Sequence, residues 1–452
     1  MLHDSGKPFH DYVDANTGTV DRVIFSDQAI YELELERIFA RAWNFMCHES
    51  QIPNKGDYFL SFIGEESVIC TRDKTDTLQV FINSCRHRGN AVCRAESGNA
   101  RSFLCTYHGW TFGLDGKLIG VPGYKDLYHE DLKREEWGLI SAGKVASYKG
   151  FVFATMDPDA PDLEDYLGEV GRLGLDLSAE RADFVMVDGI QKNQIGCNWK
   201  FAVDNVFDWY HAQITHASAF MSRYTGDKLK KTGRPPPPDI SDMRAQRVLL
   251  GDYGHAISGP RTTPLYREQI AQSGPNPDMT NDETWRDGPR AKAALGEVGS
   301  ETRGHPHIFP NLWVSYGGTQ ISLRLPKGPT TTEIWWFTLA ERDMSEERRI
   351  SLMQRANHQF GPAGMLEQDD GENWDQSTRQ TQGVVARRYP LNFSMGVGRG
   401  APSSSTAGLR FIDSPVNEYA QLWTWRSWAD WMDAENWGAL ERDSTAPPMD
   451  VV

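Results

Sequence analysis

The chain of 452 residues is 39% hydrophobic and 11% aromatic, and it carries a formal net charge of −15 at pH 7. This length and composition predict a globular protein of two or three domains, and the acidic balance argues against nucleic-acid binding, which needs a basic face. The sequence has no apolar run of about eighteen residues and no apolar stretch near Met1, so we expect neither a membrane span nor a signal peptide. The six cysteines then indicate a reducing, cytoplasmic setting.

The first third of the chain is predicted to hold one helix and a β domain. Apolar residues at helical spacing predict an amphipathic helix near residues 27 to 43. From Tyr58 to Asp157, short β-rich runs broken by Gly, Asn and Asp predict a small antiparallel β domain. Its predicted strands and its Asp-Gly hairpin turn are Ser67–Thr71, Leu78–Ile82, Gly150–Ala154 and Leu114–Leu118.

Two Cys-and-His pairs lie within the β domain, Cys85-x-His87 and Cys105-x2-His108, and a glycine follows each histidine by one or two places. Two thiolates on one iron and two imidazoles on the other can hold a Rieske [2Fe-2S] cluster, and the neutral imidazoles raise its reduction potential. A structural zinc site is the alternative, because zinc also accepts Cys and His. Zinc sites usually pair like with like, as Cys-x2-Cys and His-x3-5-His, so we favour the Rieske cluster.

After residue 157 the pattern mixes helices and strands. We predict helices over residues 162–173, 199–211 and 346–370, and strands over 313–316, 320–325 and 333–339. Pro235–Pro238 and the polar stretch around 274–304 are predicted to be loops or lids.

A second candidate metal site lies at Asp208-x2-His211-x4-His216. Histidines five residues apart differ by about 140° on an ideal helix, so they converge only if the helix ends or deforms between them, which Ile214 and Thr215 would allow. Asp208, three residues before His211, could accept a hydrogen bond from the imidazole nitrogen that does not bind metal. By itself this spacing is weak, and two unrelated histidines remain the alternative.

A site with two histidines and one carboxylate needs a third ligand from elsewhere. The acidic run around Asp369 and Asp370 could supply it, although a solvated helix face is the usual fate of such a run. The apolar neighbours Leu366 and Trp374 argue against the solvated face. From the residues alone, the choice between the acids stays open.

These boxes occur in a recognisable order: the Cys–His pairs, the Asn198–Phe201 run, the Asp208–His216 box and the Gly361–Trp374 box. Together they resemble the large (α) subunit of Rieske non-haem iron aromatic-ring-hydroxylating dioxygenases, the biphenyl, naphthalene and phenylpropionate dioxygenase group. The match extends over nearly the whole chain. It implies an α+β fold in which a small antiparallel β Rieske domain is joined to a catalytic domain with a large antiparallel sheet wrapped around a helix. The implied segments are an N-terminal helical segment of the catalytic domain at 1–40, the Rieske domain at 41–157 and the catalytic mononuclear iron domain at 158–452.

The resemblance also implies roles for individual residues. His211, His216 and Asp370 would be the iron ligands, and Asp208 would bridge the iron and a neighbouring subunit's Rieske domain. Asn205 would lie near the iron without being a firm ligand. The implied substrate pocket carries no obvious charge, which favours a neutral hydrocarbon or biaryl, although loops between residues 226 and 304 could contribute a cation such as Arg261. The pocket candidates are Val206, Phe207, Ala212, Met221, His305, Leu323, Phe360 and Leu366.

The implied activity is insertion of both atoms of O2 into an aromatic ring to give a cis-dihydrodiol. Electrons would pass from NADH through a reductase and a ferredoxin to the Rieske cluster and then to Fe(II). The implied partners are a small β subunit, further α subunits in a trimer (α3β3), the ferredoxin, the reductase and a small aromatic substrate. A Rieske monooxygenase or demethylase is the alternative. A pure electron-transfer Rieske protein would leave the second ligand box and nearly 300 residues without a purpose.

Overall fold

The computed structural model describes residues 7–222, 245–315, 317–406 and 408–444. The chain forms two compact units, of which one comprises residues 35–163 and the other combines 1–34 with 164–452. Within the described ranges, no helix is long and apolar enough to cross a membrane. The predicted loop at Pro235–Pro238 lies outside the described residues.

The unit of residues 35–163 is built from small antiparallel sheets. Its four-stranded sheet has the spatial order Leu78–Ile82, Glu66–Arg72, Asp57–Ile63, Ser97–Asn99. Two three-stranded sheets follow the orders Lys144–Tyr148, Phe151–Thr155, Asn44–His48 and Leu118–Gly120, Thr111–Phe112, Phe103–Leu104. The predicted β domain and its strands are therefore confirmed.

The predicted Asp-Gly hairpin is also confirmed. Gly116 closes the turn at φ +76°, a left-handed conformation that glycine adopts without steric cost. The N–H of Gly113 donates to the carbonyl of Lys117, and Thr111–Phe112 pairs with Leu118–Gly120. This hairpin follows directly after the second Cys–His pair and fixes the end of its loop.

The other unit contains a ten-stranded sheet whose neighbouring strands are all antiparallel. Its spatial order is Phe184–Met186, Thr332–Glu341, Gln320–Pro326, Leu312–Val314, His305–Ile308, Ala256–Pro260, Gln246–Leu250, Arg410–Ser414, Pro402–Ser404. Gln191–Ile195 also pairs with Thr332–Glu341. A separate small sheet joins Val13–Asp14, Thr19–Val20 and Leu391–Asn392.

The helix Tyr419–Asp433 is buried on nearly every side, which makes it the helix enclosed by the sheet. A helix that is apolar all round belongs in a core, and its four tryptophans from Trp423 to Trp431 are at most 1% exposed. Three of their indole N–H groups are satisfied by other elements: Trp423 donates to the carbonyl of Gly251, Trp428 to Glu34 Oε1 and Trp431 to the carbonyl of Tyr253. The α+β class predicted for the chain is confirmed.

The described residues contain further helices. They are Gln28–Glu34, which continues as a π-helical turn over Leu35–Phe39, and Leu163–Ala179, Trp199–Asp204, Ala212–Thr215, Ala217–Met221, Pro264–Ser273, Pro289–Glu301, Glu346–Gln359, Glu367–Thr381 and Trp437–Ser444.

Three predicted elements were wrong in extent. The helix over 199–211 ends at Asp204. The single helix over 346–370 is two helices separated at Phe360–Pro362, because the ring of Pro362 disfavours helical geometry in the residue before it. The predicted loop over 274–304 contains the helix Pro289–Glu301, which starts with a proline at its first turn and buries Ala291, Leu295 and Val298 on one face.

Candidate metal centres

The two Cys–His loops have the same backbone construction. In each, the cysteine N–H donates to the carbonyl five residues later, and the following glycine N–H donates back to the cysteine carbonyl. Gly89 and Gly109 sit at φ +73° and +76°, so the tight turn requires glycine at both places. Two matching loops place cysteine beside cysteine and histidine beside histidine, which suits a cluster with one thiolate-bound and one imidazole-bound metal position.

The four predicted ligands are brought together in this unit. The rings of His87 and His108 are 4.5 Å apart, and the ring of His87 stacks on Trp110 at 5.0 Å. Cys85 and Cys105 are both buried in the same apolar cluster. Burial raises the pKa of the Cys85 thiol, whereas backbone N–H groups of the second loop outweigh burial and lower the pKa of Cys105. The donor set and its burial fit a Rieske [2Fe-2S] cluster.

The second site brings His211, His216 and Asp370 into a triangle. The two Nε2 atoms are 3.2 Å apart, and Asp370 Oδ1 lies 3.3 Å from His211 Nε2 and 3.4 Å from His216 Nε2. Ligand atoms that share one ion at about 2.1 Å and near-octahedral angles lie about 3 Å apart, so these three atoms have the spacing of a shared ion. They occupy one side only, as in a facial triad.

The histidines converge because the helix between them is a single turn. Ala212–Thr215 has His211 as its N-cap residue and His216 as its C-cap residue. The helix ends at Thr215 and His216 has non-helical backbone angles, so the predicted break between the two histidines at Ile214 and Thr215 is confirmed. The two imidazoles therefore leave opposite ends of the turn and meet at Asp370.

Each histidine presents its other ring nitrogen to a second carboxylate. Asp208 Oδ2 lies 3.3 Å from His211 Nδ1, and Asp369 Oδ2 lies 3.8 Å from His216 Nδ1. Asp208 Oδ1 also accepts the backbone N–H groups of Tyr210 and His211, which holds its side chain in place. Such carboxylates fix the ring orientation and tautomer of a metal-binding imidazole.

Burial and neighbouring carboxylates shift the pKa values of the groups in this site. Burial opposes protonation of His211, but hydrogen bonds to Asp208 and Asp370 outweigh it and raise the pKa of His211 to about 10. Burial lowers the pKa of His216. The pKa of Asp208 is lowered despite burial because it accepts hydrogen bonds from His211 and the backbone. Three carboxylates, those of Asp208, Asp369 and Asp370, lie close to the two imidazoles, and this set of groups suits a bound cation.

Most of the predicted pocket residues lie near one another. Val206, Phe207 and Phe360 belong to one buried apolar cluster, and Leu366 packs against it. The Nδ1 of His305 lies 3.0 Å from the carbonyl oxygen of Val206. Burial lowers the pKa of His305 to about 3, so this imidazole is neutral.

The other predicted residues are placed as follows. Ala212 is the half-buried first residue of the one-turn helix, and Asn205 is the half-buried C-cap residue of Trp199–Asp204. Leu323 is buried on the face of its strand opposite Ser322, away from that apolar cluster, because side chains alternate along a strand. The side chain of Met221 lies outside the described residues.

Sequence reasoning missed a charged residue in this region. Arg324 is 1% exposed, and its guanidinium lies over the rings of Trp313 at 4.4 Å and Trp336 at 5.2 Å. Burial lowers its pKa to about 10, although Glu367 and Asp370 act in the opposite direction. The loop cation considered from the sequence, Arg261, instead faces two carboxylates, Glu301 at 2.6 Å and Asp413 at 2.9 Å. Only loops were considered from the sequence as the source of a cation, and Arg324 lies in a buried strand. A charged residue within a largely apolar strand was the feature that could have identified it.

Comparison with known proteins gives two family matches. The family described as "Rieske [2Fe-2S] domain" matches residues 42–145, and "Ring hydroxylating alpha subunit (catalytic domain)" matches residues 170–399.

Relatives match over nearly the whole length. Biphenyl 2,3-dioxygenase subunit alpha of Rhodococcus jostii is 37% identical over 453 residues, covering 96% of this chain and 93% of the relative. Benzene 1,2-dioxygenase subunit alpha of Pseudomonas putida is 34% identical over 438 residues, with coverage of 95% and 94%. Among solved structures, naphthalene 1,2-dioxygenase with indole bound in the active site matches with a TM-score of 0.83 and 28% identity, over 96% of both chains.

Proposed function

This chain belongs to the α subunits of Rieske non-haem iron aromatic-ring-hydroxylating dioxygenases, and from that premise we propose which of its residues carry the reaction. The chain is an oxidoreductase that hydroxylates aromatic rings with O2, and it uses a Rieske [2Fe-2S] cluster and a mononuclear iron. Its relatives are subunits of larger enzymes. The proposals below concern the residues, the substrate and the partners.

His211, His216 and Asp370 are the ligands of the mononuclear iron. The observation that carries this assignment is the convergence of one atom from each residue at distances of 3.2 to 3.4 Å. Asp369 faces the other nitrogen of His216, which supports Asp370 as the ligand and Asp369 as a residue that orients a ligand. When bound there, iron(II) with open coordination positions supplies the activation of dioxygen.

Cys85 and Cys105 hold one iron of the cluster, and His87 and His108 hold the other. The matching loops and the buried thiols support this assignment. Trp110, stacked on His87, keeps one face of that imidazole from water. A cluster that is shielded from water on this side and has two neutral imidazole ligands has a raised reduction potential.

Asp208 links the iron site to a neighbouring subunit. Its carboxylate touches His211 on one side and remains 31% exposed on the other, and exposed Tyr210 follows two residues later. That position supports a bridge from His211 to the Rieske domain of a neighbouring α subunit. A trimer of α subunits, closed head to tail, would place the cluster and the iron of different chains together.

The substrate is an aromatic compound whose ring packs against the apolar wall formed by Val206, Phe207, Phe360 and Leu366. These side chains would hold the ring by dispersion and burial and would exclude water from the reacting carbons. Asn205 borders the same turn one residue before Val206. The product is a cis-dihydrodiol that carries both oxygen atoms of O2.

The proposed partners are a small β subunit in an α3β3 assembly, and a ferredoxin and a reductase that deliver electrons from NADH. The names of the relatives as α subunits and as a large oxygenase component support a multicomponent system. The proposed location is the cytoplasm, since the six cysteines are all free thiols.

The ligand assignment is tested by metal analysis of variants. We expect three irons and two acid-labile sulfides per wild-type chain. His211→Ala should lose the mononuclear iron and keep the visible spectrum of the cluster, whereas the matched control His255→Gln, at a buried histidine elsewhere in the unit, should keep all three irons. Retention of three irons by the His211 variant would remove it from the ligand set.

The reaction is tested with labelled oxygen. The reconstituted enzyme should convert an arene into a dihydrodiol that contains two heavy atoms from 18O2. A product with a single labelled atom would mean that this chain is a monooxygenase.

A further inference from the structure

A group of buried polar side chains lies on one face of the large sheet. Trp313 is directly opposite Ser322, which is directly opposite Trp336, and Arg324 follows two residues after Ser322 on the same face. Glu367, from the first turn of its helix, joins the group because its Oε2 accepts the indole N–H of Trp336 at 2.6 Å. We call Trp313, Ser322, Arg324 and Glu367 the polar group.

Every member of the polar group has a buried atom without a hydrogen-bond partner among the described residues. These atoms are Trp313 Nε1, Ser322 Oγ, Arg324 Nη1 and Glu367 Oε1. The same side chains are otherwise anchored: Arg324 Nε donates to the carbonyl of Ala202 at 3.4 Å, and Glu367 Oε2 also accepts the N–H of Gly361 at 2.6 Å. Leaving buried donors and a buried acceptor unpaired is costly, so the polar group is built for a molecule that completes it.

The polar group adjoins the proposed substrate site. The ring of Trp313 lies 4.9 Å from that of His305 and 5.3 Å from that of Phe360, both candidates for the pocket wall. Arg324 interacts electrostatically with Asp370, the proposed iron ligand. Phe360 also stacks on Trp336 at 4.2 Å, and Arg324 lies over Trp336, so the pocket wall and the polar group share these aromatic rings.

We propose that the polar group selects substrates that carry a hydroxyl group on or near the aromatic ring, with Arg324 Nη1 donating to the hydroxyl oxygen and Glu367 Oε1 accepting its hydrogen. This inference rests on the proposed dioxygenase function and narrows its substrate class. A hydroxyl group is both acceptor and donor, so one hydroxyl can pair with Arg324 Nη1, a donor, and with Glu367 Oε1, an acceptor. A hydrocarbon leaves both atoms unpaired, and a carboxylate has no hydrogen to donate to Glu367 Oε1. The charge of Arg324 is already balanced by Glu367 and Asp370, so an anion is not needed.

A site built to bond a hydroxyl discriminates strongly against the analogue that lacks it, because its polar atoms are then left unpaired. We therefore expect the reconstituted enzyme to favour 3-hydroxybiphenyl over biphenyl, and phenol over benzene, by at least about tenfold in kcat/KM. The methyl ethers accept a hydrogen bond but donate none, so their kcat/KM should fall between the values of the two members of each pair. Biphenyl-3-carboxylate should be a poor substrate.

Variants assign the preference to residues. Arg324→Met, which keeps length without a donor, should bring the hydroxyl-to-hydrocarbon ratio of kcat/KM close to one, mainly through KM for the hydroxylated member. Glu367→Gln should also lower the ratio, because the amide oxygen must accept from Trp336 and Gly361, and its NH2 group then replaces the acceptor Oε1. The control Arg261→Met, at an arginine paired with two surface carboxylates, should leave the ratio unchanged. Glu367→Gln, which removes the acceptor, serves if the Arg324 variant does not fold.

The outcomes separate this inference from the dioxygenase function. If dihydrodiols form but wild-type ratios are at or below one, a water completes the polar group and the inference is wrong. An unchanged ratio in folded Arg324→Met or Glu367→Gln protein with an intact cluster spectrum also overturns it. If no arene yields a dihydrodiol, the dioxygenase proposal fails. Calorimetric titration of 3-hydroxybiphenyl and biphenyl into wild-type and Arg324→Met protein without oxygen still decides the selectivity: tighter binding of the hydroxylated member, lost in the variant, supports it, and equal binding refutes it.

Discussion

Replacement of Asp208 by Asn separates two roles that this carboxylate could have, orienting His211 and carrying electrons. The amide keeps an oxygen that can accept the backbone N–H groups of Tyr210 and His211, now 2.9 and 3.1 Å from Asp208 Oδ1. It removes the negative charge beside His211 Nδ1, at 3.3 Å. The local fold should therefore survive, while the polarisation of His211 is lost.

The expected size of each effect follows from these contacts. Loss of a carboxylate behind a metal-binding imidazole weakens metal affinity by about 10- to 100-fold, which is about 1.4 to 2.7 kcal/mol. If the Kd for iron lies far below the iron concentration, a site weakened to this extent still stays filled. We therefore expect near-normal iron content. If Asp208 is the bridge to the neighbouring cluster, product formation over many turnovers should fall to little or none.

The assay is rapid mixing of pre-reduced Asp208→Asn protein with substrate and dioxygen, followed at the cluster absorbance. We expect the cluster to be reduced normally and to reoxidise far more slowly than in the wild type. The matched control is Asp369→Asn, which alters the carboxylate 3.8 Å from the other histidine and should reoxidise at nearly the wild-type rate. Wild-type reoxidation in the Asp208 variant would remove it from the electron path and leave it as a residue that positions His211.

Four other changes have defined outcomes. Asp370→Ala should lose the mononuclear iron by metal analysis and keep the Rieske spectrum; retained iron and activity, with both lost in Asp369→Ala, would reverse the choice between the acids. His87→Cys should lower the cluster potential in a redox titration, because a thiolate adds negative charge; an unchanged potential with an intact cluster would contradict this ligand. Glu34→Gln should reduce the free energy of unfolding by about 3 to 5 kcal/mol in urea titrations, because it leaves the buried Lys200 ammonium, 2.5 Å from Glu34, without its charge partner; a loss below about 1 kcal/mol would refute that account. The carboxylates of Asp430 and Asp433 raise the pKa of His10 to about 10, so its ion pairs contribute about 1 kcal/mol to stability after solvent screening, in full below pH 6.5 and no longer once the pH has risen through 10. His10→Gln should thus lower the free energy of unfolding at pH 6 and hardly at pH 10.5. Equal losses at both pH values would exclude the ion pairs.

Most of the proposed metal ligands could be named from the sequence because their information is local. A Cys–His pair with a glycine after it specifies both a ligand type and a turn, so Cys85 to His108 could be assigned before any fold was known. The choice between Asp369 and Asp370 was not local. Adjacent residues on a helix point about 100° apart, so the answer depends on where the helix begins, and Glu367–Thr381 starts only after the break that Pro362 causes.

The pocket was less predictable for a different reason. The strand Gln320–Pro326 is buried on both faces, so its burial does not alternate and the sequence cannot tell which side chains face the apolar cluster. The resemblance implied Leu323 for the substrate pocket, whereas Ser322 and Arg324 lie on the strand face that carries Trp313 and Trp336. Register with the neighbouring strands decides this, and register is a property of the assembled sheet.

The division of the chain has a consequence for its synthesis on the ribosome. Residues 35–163 are continuous, so this unit can fold while the remainder is still being translated. The other unit is different, because His10 pairs with Asp430 and Asp433, more than 400 residues later, and the ring of Phe9 packs on Trp428. The N-terminal segment of this unit therefore cannot make these contacts until nearly the whole chain has emerged from the ribosome. The nascent oxygenase should pass through a stage with a finished cluster-binding unit and an unfinished iron-binding one, during which chaperones have the most apolar surface to cover.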